Sequence, residues 1–218
     1  MSEQNLHNFN ETPHKRRDFI KTSAGAAVAT RALAATIVRG EGIPADKKNK
    51  IGFIGTGGRG TGAAAQALTA DDNMELHAMA DVFQEKIDKS LATLSKNTKL
   101  KDKVKVPSSR QFVGLDAYKR VIDSGVDVVI LTTTPGFRPQ HLKASVEAGK
   151  HIFTEKPMAV DATGVKSCME TVALSKDKPI SIVAGFCWRY HPARRAAYKK
   201  ILEDGLIGDI TSVYATYY

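Results

Sequence analysis

One hexapeptide restricts the fold of this chain more than any other feature. Gly55-Thr56-Gly57-Gly58-Arg59-Gly60 follows the apolar run Ile51-Gly52-Phe53-Ile54 and leads into an alanine-rich stretch from Arg59 to Thr69. Gly55, Gly57 and Gly60 fit the spacing G-x-G-x-x-G, and they do so between a strand and a helix, the context that gives the pattern meaning. Each glycine answers a different steric demand. Gly55 permits the tight turn out of the strand, Gly57 lets a pyrophosphate approach the backbone, and Gly60 allows the helix to lie close on the sheet. The helix start then offers N–H groups without acceptors, and a positive dipole end, to phosphate oxygens.

A dinucleotide reading demands an acid at the end of the next strand. Met74 to Ala80 is mostly apolar, and Asp81 ends it, 26 residues after Gly55. Such a carboxylate accepts hydrogen bonds from the adenosine ribose and repels a 2′-phosphate, so Asp81 favours NAD over NADP. Lys86 and Lys89 lie close enough in sequence to leave NADP open, and Asp81 has the alternative of capping the helix that starts near Gln84.

Strand and helix patterns then alternate. The expected elements are helix 83–94, a short strand near Val104–Val106, helix 117–124 and strand 126–131. Helix 139–148, strand 151–154, helix 163–175 and strand 180–186 follow. Val165, Cys168, Met169 and Val172 recur at helical spacing, so Cys168 is expected in the core. The alternation implies a Rossmann-type doubly wound α/β sheet, mostly parallel, with helices on both faces. Charged residues make up 25% and hydrophobic residues 42% of the 218, the balance of a globular protein rather than a disordered or polytopic one. The two cysteines, Cys168 and Cys187, lack zinc-site spacing, so no metal is expected. The net charge of +9 comes largely from the leader and the lysine-rich stretch 95–109, which carries no RNA-binding aromatic motif. It reads as solvated surface, and no nucleic-acid partner is expected.

The start of the chain is different. Lys15-Arg16-Arg17-Asp18-Phe19-Ile20-Lys21 resembles a twin-arginine export signal, followed by a short alanine-rich run and a small-residue cleavage site after Ala34. Residues 1–34 are therefore expected to be a signal peptide and the mature protein periplasmic, with no stable membrane insertion after cleavage. Residues 35–50 read as a flexible tether, 51–187 as the Rossmann domain, and 188–218 as the opening of a second domain.

Gly149-Lys150-His151-Ile152-Phe153-Thr154-Glu155-Lys156-Pro157, with His141 upstream, resembles the signature of the Gfo/Idh/MocA family (glucose-fructose oxidoreductase, inositol dehydrogenase, rhizopine catabolism). The glycine turn, Thr134-Pro135, the segment Gly185 to Tyr190 and the segment Gly205 to Ile210 are similar to that family too. The resemblance runs over residues 51–218. It implies an NAD(P)-binding domain, then an α/β domain with a large sheet through which members often form homo-oligomers. It also implies hydride transfer between nicotinamide and a sugar or cyclitol carbon. On this resemblance Gly55, Thr56, Gly57, Gly58, Arg59 and Gly60 surround the pyrophosphate and Asp81 holds the ribose. Thr133, Thr134, Pro135 and His141 lie where cofactor and substrate meet, Glu155 and Lys156 lie near the nicotinamide, and Trp188 and Arg189 line the far wall.

Lys156 suits the chemistry. A lysine beside a cationic ring and partly desolvated can share a proton with a substrate hydroxyl, or polarise the carbonyl in reverse. Glu155 is expected to orient it. His151 is expected to be structural, and helix 193–204 to lead into a strand at 210–218. The family's main proton-transfer residues follow the segment 189–190, so a chain truncated in its second domain is expected. Two other readings stay open: a dinucleotide-binding module without turnover, alone or completed by another chain, and a relative that cleaves glycosides with tightly held NAD.

Overall fold

The computed structural model describes residues 47–216. The proposed signal peptide, most of the tether and the last two residues lie outside the described residues.

Among the described residues six parallel strands form one sheet: β1 (Asn49–Ile54), β2 (Met74–Asp81), β3 (Gln111–Val113), β4 (Val128–Leu131), β5 (His151–Thr154) and β6 (Ile182–Ala184). Their order is β3-β2-β1-β4-β5-β6. The first three strands run outward one way and the last three the other, so the order reverses between β1 and β4. A doubly wound sheet opens a crevice at that reversal, beyond the carboxyl ends of the strands. Parallel pairing requires a crossover after each strand. These are provided by α1 (Gly58–Ala70), α2 (Gln84–Lys96), α3 (Ala117–Asp123), α4 (Arg138–Glu147) and α5 (Ala162–Leu174).

Apolar side chains cover both faces of the sheet, as parallel strands demand. One layer joins Phe53, Ile51 and Met79 to Ala64 and Leu68 of α1 and Ile87 and Leu94 of α2. The other joins Val129, Leu131 and Ile152 to Val121 of α3, Leu142 and Val146 of α4 and Cys168 of α5. Phe53 and Leu68 are wholly buried, and each such side chain contributes about 2–3 kcal/mol through the water it sheds.

Several expectations shift. Asn49 and Lys50, expected in the tether, already pair with Met74 and Glu75 as the start of β1. The strand expected near Val104–Val106 is a single bridge between Leu76 and Val104. The outer strand is instead Gln111–Val113, which pairs with the end of β2. Val165, Met169 and Val172 of α5 face solvent, while Cys168 and Thr171 are buried. The reason is close packing. A Cβ at Gly164 would stand 2.7 Å from the Ala159 Cβ and 3.3 Å from the Pro139 Cγ, so the small-residue side of α5 is the one that approaches its neighbours.

The expected helix 193–204 is a short α6 (Pro192–Tyr198) continued by a π-helical turn, Lys199–Glu203. Residues 210–216, expected to form a strand, have no strand pairing. A strand needs a ladder partner, and no described edge reaches this segment; Val213 and Tyr214 are exposed.

Candidate functional site

β1 carries the chain through the core and delivers Gly55 to the crevice with φ +92°. A side chain there is excluded twice, because a Cβ would lie 2.6 Å from the Thr133 nitrogen and the left-handed backbone is strained for any L residue. Gly60 is excluded more severely: its Cβ would lie 1.9 Å from the Gly55 carbonyl oxygen. The Thr132 hydroxyl locks the same turn by donating to Gly55 O (2.7 Å) and Ile54 O (3.0 Å). By contrast, a Cβ at Gly57 or Gly58 would meet nothing within 4 Å. The turn is therefore tight beneath and open above, at a helix start whose first N–H groups have no intrahelical acceptor. These residues fit a dinucleotide pyrophosphate.

Asp81 closes the turn from β2. Its Oδ2 accepts the Thr56 N–H at 2.7 Å and the Thr56 hydroxyl at 3.2 Å, while Oδ1 accepts the Phe83 N–H at 3.2 Å. This acid does not cap α2, whose N-cap, Phe83, takes no side-chain cap hydrogen bond. It fastens the entry to α2 and stands beside the glycine turn, where a ribose would sit.

Across the crevice, the ends of β4 and β5 bring up Thr133, Pro135, Glu155 and Lys156. With Arg59, Gln66, Thr132, Arg138, Gly185 and Cys187 they enclose a cleft of about 460 Å³. Arg59 spans it: Nε donates to Glu155 Oε1 at 2.7 Å and Nη2 lies 2.6 Å from the same oxygen. The guanidinium expected at the pyrophosphate is thus turned toward β5, where it compensates a carboxylate that is nine-tenths buried. Buried carboxylates need such a partner. This also corrects the expected Glu155–Lys156 pairing. Arg59 occupies the carboxylate, and Glu155 reaches Lys156 only through that residue's backbone N–H (3.3 Å). The Lys156 side chain stays exposed at the cleft, next to a cis bond to Pro157. Thr134, expected at the site, is exposed and does not line the cleft, and its carbonyl accepts the Phe137 N–H.

Arg138 was not foreseen. At the start of a helix before Pro139 it resembles a solvated first-turn residue, yet it is 2% exposed. Nη1 donates to Pro157 O and Nη2 to Thr133 O, so one side chain ties the loop after β4 to the loop after β5. Burial pulls its pKa below the ordinary guanidinium value, and Glu155 works the other way.

His141 stands behind this wall rather than in it. Its ring stacks on Tyr118 at 4.3 Å, its Nδ1 lies 3.2 Å from the Thr133 hydroxyl, and only 4% of it is exposed. Burial, helped by the Arg138 charge, pushes its pKa down to about 4. It is a neutral prop for Thr133 at physiological pH. His151 accepts the Ser181 N–H at 3.1 Å and braces the β5–β6 edge.

Beyond Lys156 the cleft continues into a depression of about 490 Å³ lined by Gly185, Phe186, Cys187, Trp188 and Arg189. Arg189 lies over Phe186 at 4.8 Å and Arg194 over Trp188 at 3.9 Å. Lys156, Gly185 and Cys187 line both spaces. Trp188 and Arg189 thus line this second space, with Lys156 at the seam between the two.

The chain is 32% identical over 102 residues to an inositol 2-dehydrogenase of Rhizobium meliloti, covering 47% of this chain and 29% of that one. It is 26% identical to a glycosyl hydrolase family 109 protein of Solibacter usitatus, covering 93% of this chain and 45% of that one. It spans less than half the length of these curated relatives. A crystal structure of scyllo-inositol dehydrogenase from Lactobacillus casei, with NAD(H) and scyllo-inositol bound, shares the fold at a TM-score of 0.59 and 24% identity, covering 76% of this chain and 44% of that one. The family model described as "oxidoreductase family, NAD-binding Rossmann fold" matches residues 49–183, from the start of β1 into β6. With an intact glycine turn, an acid at the end of β2 and a crevice at the strand reversal, the chain belongs to the Gfo/Idh/MocA oxidoreductase family, as its NAD-binding Rossmann domain.

Proposed function

We propose that this protein is an NAD-dependent oxidoreductase that transfers hydride between nicotinamide and a ring carbon of a sugar or cyclitol. The observation that carries the reading is the position of Lys156, at the seam between the cleft that Arg59 spans and the depression under Trp188 and Arg189. When bound, the nicotinamide supplies the hydride acceptor. Gly57 and Gly58 leave room for the phosphates, Asp81 stands at the ribose, and Arg138 keeps Thr133 and Pro157 at a fixed separation. Lys156 Nζ takes the hydroxyl proton as an alcohol is oxidised, or donates to the carbonyl oxygen in reverse. Arg59 keeps the Glu155 carboxylate occupied, so Lys156 Nζ remains available to substrate, as the neutral amine in oxidation and as the ammonium in reverse. The match to inositol 2-dehydrogenase supports a cyclitol or sugar substrate.

A second reading has its own support. The family 109 relative matches 93% of the chain, and the same residues suit glycoside cleavage through transient oxidation on retained NAD. One assay separates the readings. The protein is incubated with NAD and a panel of cyclitols and sugars, and in parallel with nitrophenyl glycosides. NADH formation on a polyol selects the dehydrogenase. Nitrophenol release without net NADH selects the second reading, and neither signal, in a chain that binds NAD, selects a non-catalytic dinucleotide module. Export by the twin-arginine route belongs to the same proposal, and cell fractionation checks it.

A further inference from the structure

The depression under Trp188 and the cleft that Arg59 spans meet at Lys156, and the charges around them do not balance. Together their linings carry Arg59, Arg138, Lys156 and Arg189 against one carboxylate, Glu155. That carboxylate is already committed. Arg59 holds it at 2.6 Å, and the backbone of Gly185 lies so close that a Cβ there would stand 2.8 Å from Glu155 Oε1. Arg138 is a buried cation whose two hydrogen bonds go to neutral carbonyls. Among the described residues no ion pair engages Lys156 or Arg189. The oxidised nicotinamide ring brings a further positive charge to the same place, while the cofactor's phosphates are assigned to the glycine turn. An anion on the substrate would offset this excess.

Arg189 is held ready for such a group. Its guanidinium lies over the Phe186 ring at 4.8 Å, a cation–π contact that fixes the plane and leaves the edge N–H groups as a fork for an oxyanion. Arg194, over Trp188 at 3.9 Å, adds a cation beside the same wall. A neutral polyol needs acceptors for its hydroxyl protons as well as donors, and the lining of the depression contains no carboxylate or amide side chain. We propose that the substrate is an anionic sugar, which sets its carboxylate or phosphate on Arg189 while the hydroxyl of the reacting carbon meets Lys156. The inference rests on the oxidoreductase reading above and narrows its substrate class.

Calorimetry of the full chain loaded with NADH, which cannot oxidise an alcohol, tests it. The probes are the methyl glycosides of glucuronate and galacturonate, those of glucose and galactose, and that of glucose 6-phosphate, with Arg189→Gln alongside. Arg189 is exposed, so glutamine there is tolerated by the fold, and a thermal melt of the variant checks this. An anionic glycoside is expected to bind about tenfold or more tightly than its neutral parent, and the variant to lose roughly tenfold of that preference, the worth of one charge-assisted contact. Preference for a uronide identifies the anion as a carboxylate, and preference for the 6-phosphate as a phosphate. Neutral glycosides that bind as well as the acids overturn the anionic class and leave the oxidoreductase reading intact. An anion preference that Arg189→Gln keeps in full overturns the assignment to this wall, and binding of none of the glycosides overturns the inference outright. Failure of NADH itself to bind removes the cofactor reading, and this inference with it.

Discussion

Gly57→Ala is expected to leave the fold nearly as stable as before and to weaken NAD binding by roughly 30- to 100-fold, whereas Gly60→Ala damages the fold first. The two glycines sit three residues apart but meet opposite surroundings. A Cβ at position 57 touches nothing within 4 Å in the free chain, at φ −65°. Alanine at a helix N-cap costs about 0.5–1 kcal/mol, a shift of a few degrees in Tm for a chain of this size. The same methyl projects into the space that the pyrophosphate needs, and forcing an extra methyl into a fitted contact costs about 2–3 kcal/mol, hence the fold-change in affinity. At position 60 the methyl would lie 1.9 Å from Gly55 O. Backbone on both sides must move, so a loss of about 3 kcal/mol or more is expected, with NAD binding lost as a consequence. Thermal melts and calorimetry of the two variants separate these effects. Unaltered NAD affinity in Gly57→Ala would mean that the phosphates do not lie over that glycine.

Arg138→Met is expected to cost about 3–5 kcal/mol of stability and to loosen the cofactor cleft. The guanidinium is the shared donor for Thr133 O and Pro157 O, and methionine fills its volume without donating to either. Each of these part-buried carbonyls loses a hydrogen bond from a charged donor, worth about 1.5–3 kcal/mol. The removed charge adds to this, because Glu155 then relies on Arg59 alone. Arg138→Lys keeps the charge, but a single ammonium on a flexible stem cannot fork to two carbonyls as a planar guanidinium does. An intermediate loss of about 1–3 kcal/mol is expected for it. Urea unfolding of the three proteins gives the ranking, and wild-type stability in Arg138→Met would show that the two loops hold their places without this clamp.

What was legible in the sequence was local. The strand, the glycine turn and the helix that follows are adjacent in the chain, and their steric roles depend on one another, so Gly55 and Gly60 could be assigned with reasons that the structure repeats. Asp81 was legible because a strand ends there. Four departures from expectation share a cause, namely information held by distant partners. β3 is only three residues long, too short to show a period, and it is defined by pairing with β2. On α5 the spacing of Val165, Met169 and Val172 revealed a stripe but not whether that stripe faced the sheet; the tight approach at Gly164 decided the matter. Arg59 and Glu155 are 96 positions apart, and Arg138 is buried only because the loops after β4 and β5 meet around it. No composition or periodicity signal carries either fact. Glu155 and Lys156 line one cleft, but the carboxylate's partner is Arg59 rather than the expected Lys156, for the same reason.

The central claim is that the nicotinamide end of the cofactor lies at the seam occupied by Lys156, against Trp188. The chain has one tryptophan, half-exposed in that wall, which makes its fluorescence a reporter of this place alone. Titration with oxidised NAD should quench Trp188 saturably, because an electron-poor nicotinamide quenches an indole it touches. ADP-ribose, which carries the same adenosine and phosphates but no nicotinamide, should bind by calorimetry and leave the emission largely unchanged. Equal quenching by the two ligands, or calorimetric binding of NAD with no change at Trp188, would contradict the placement.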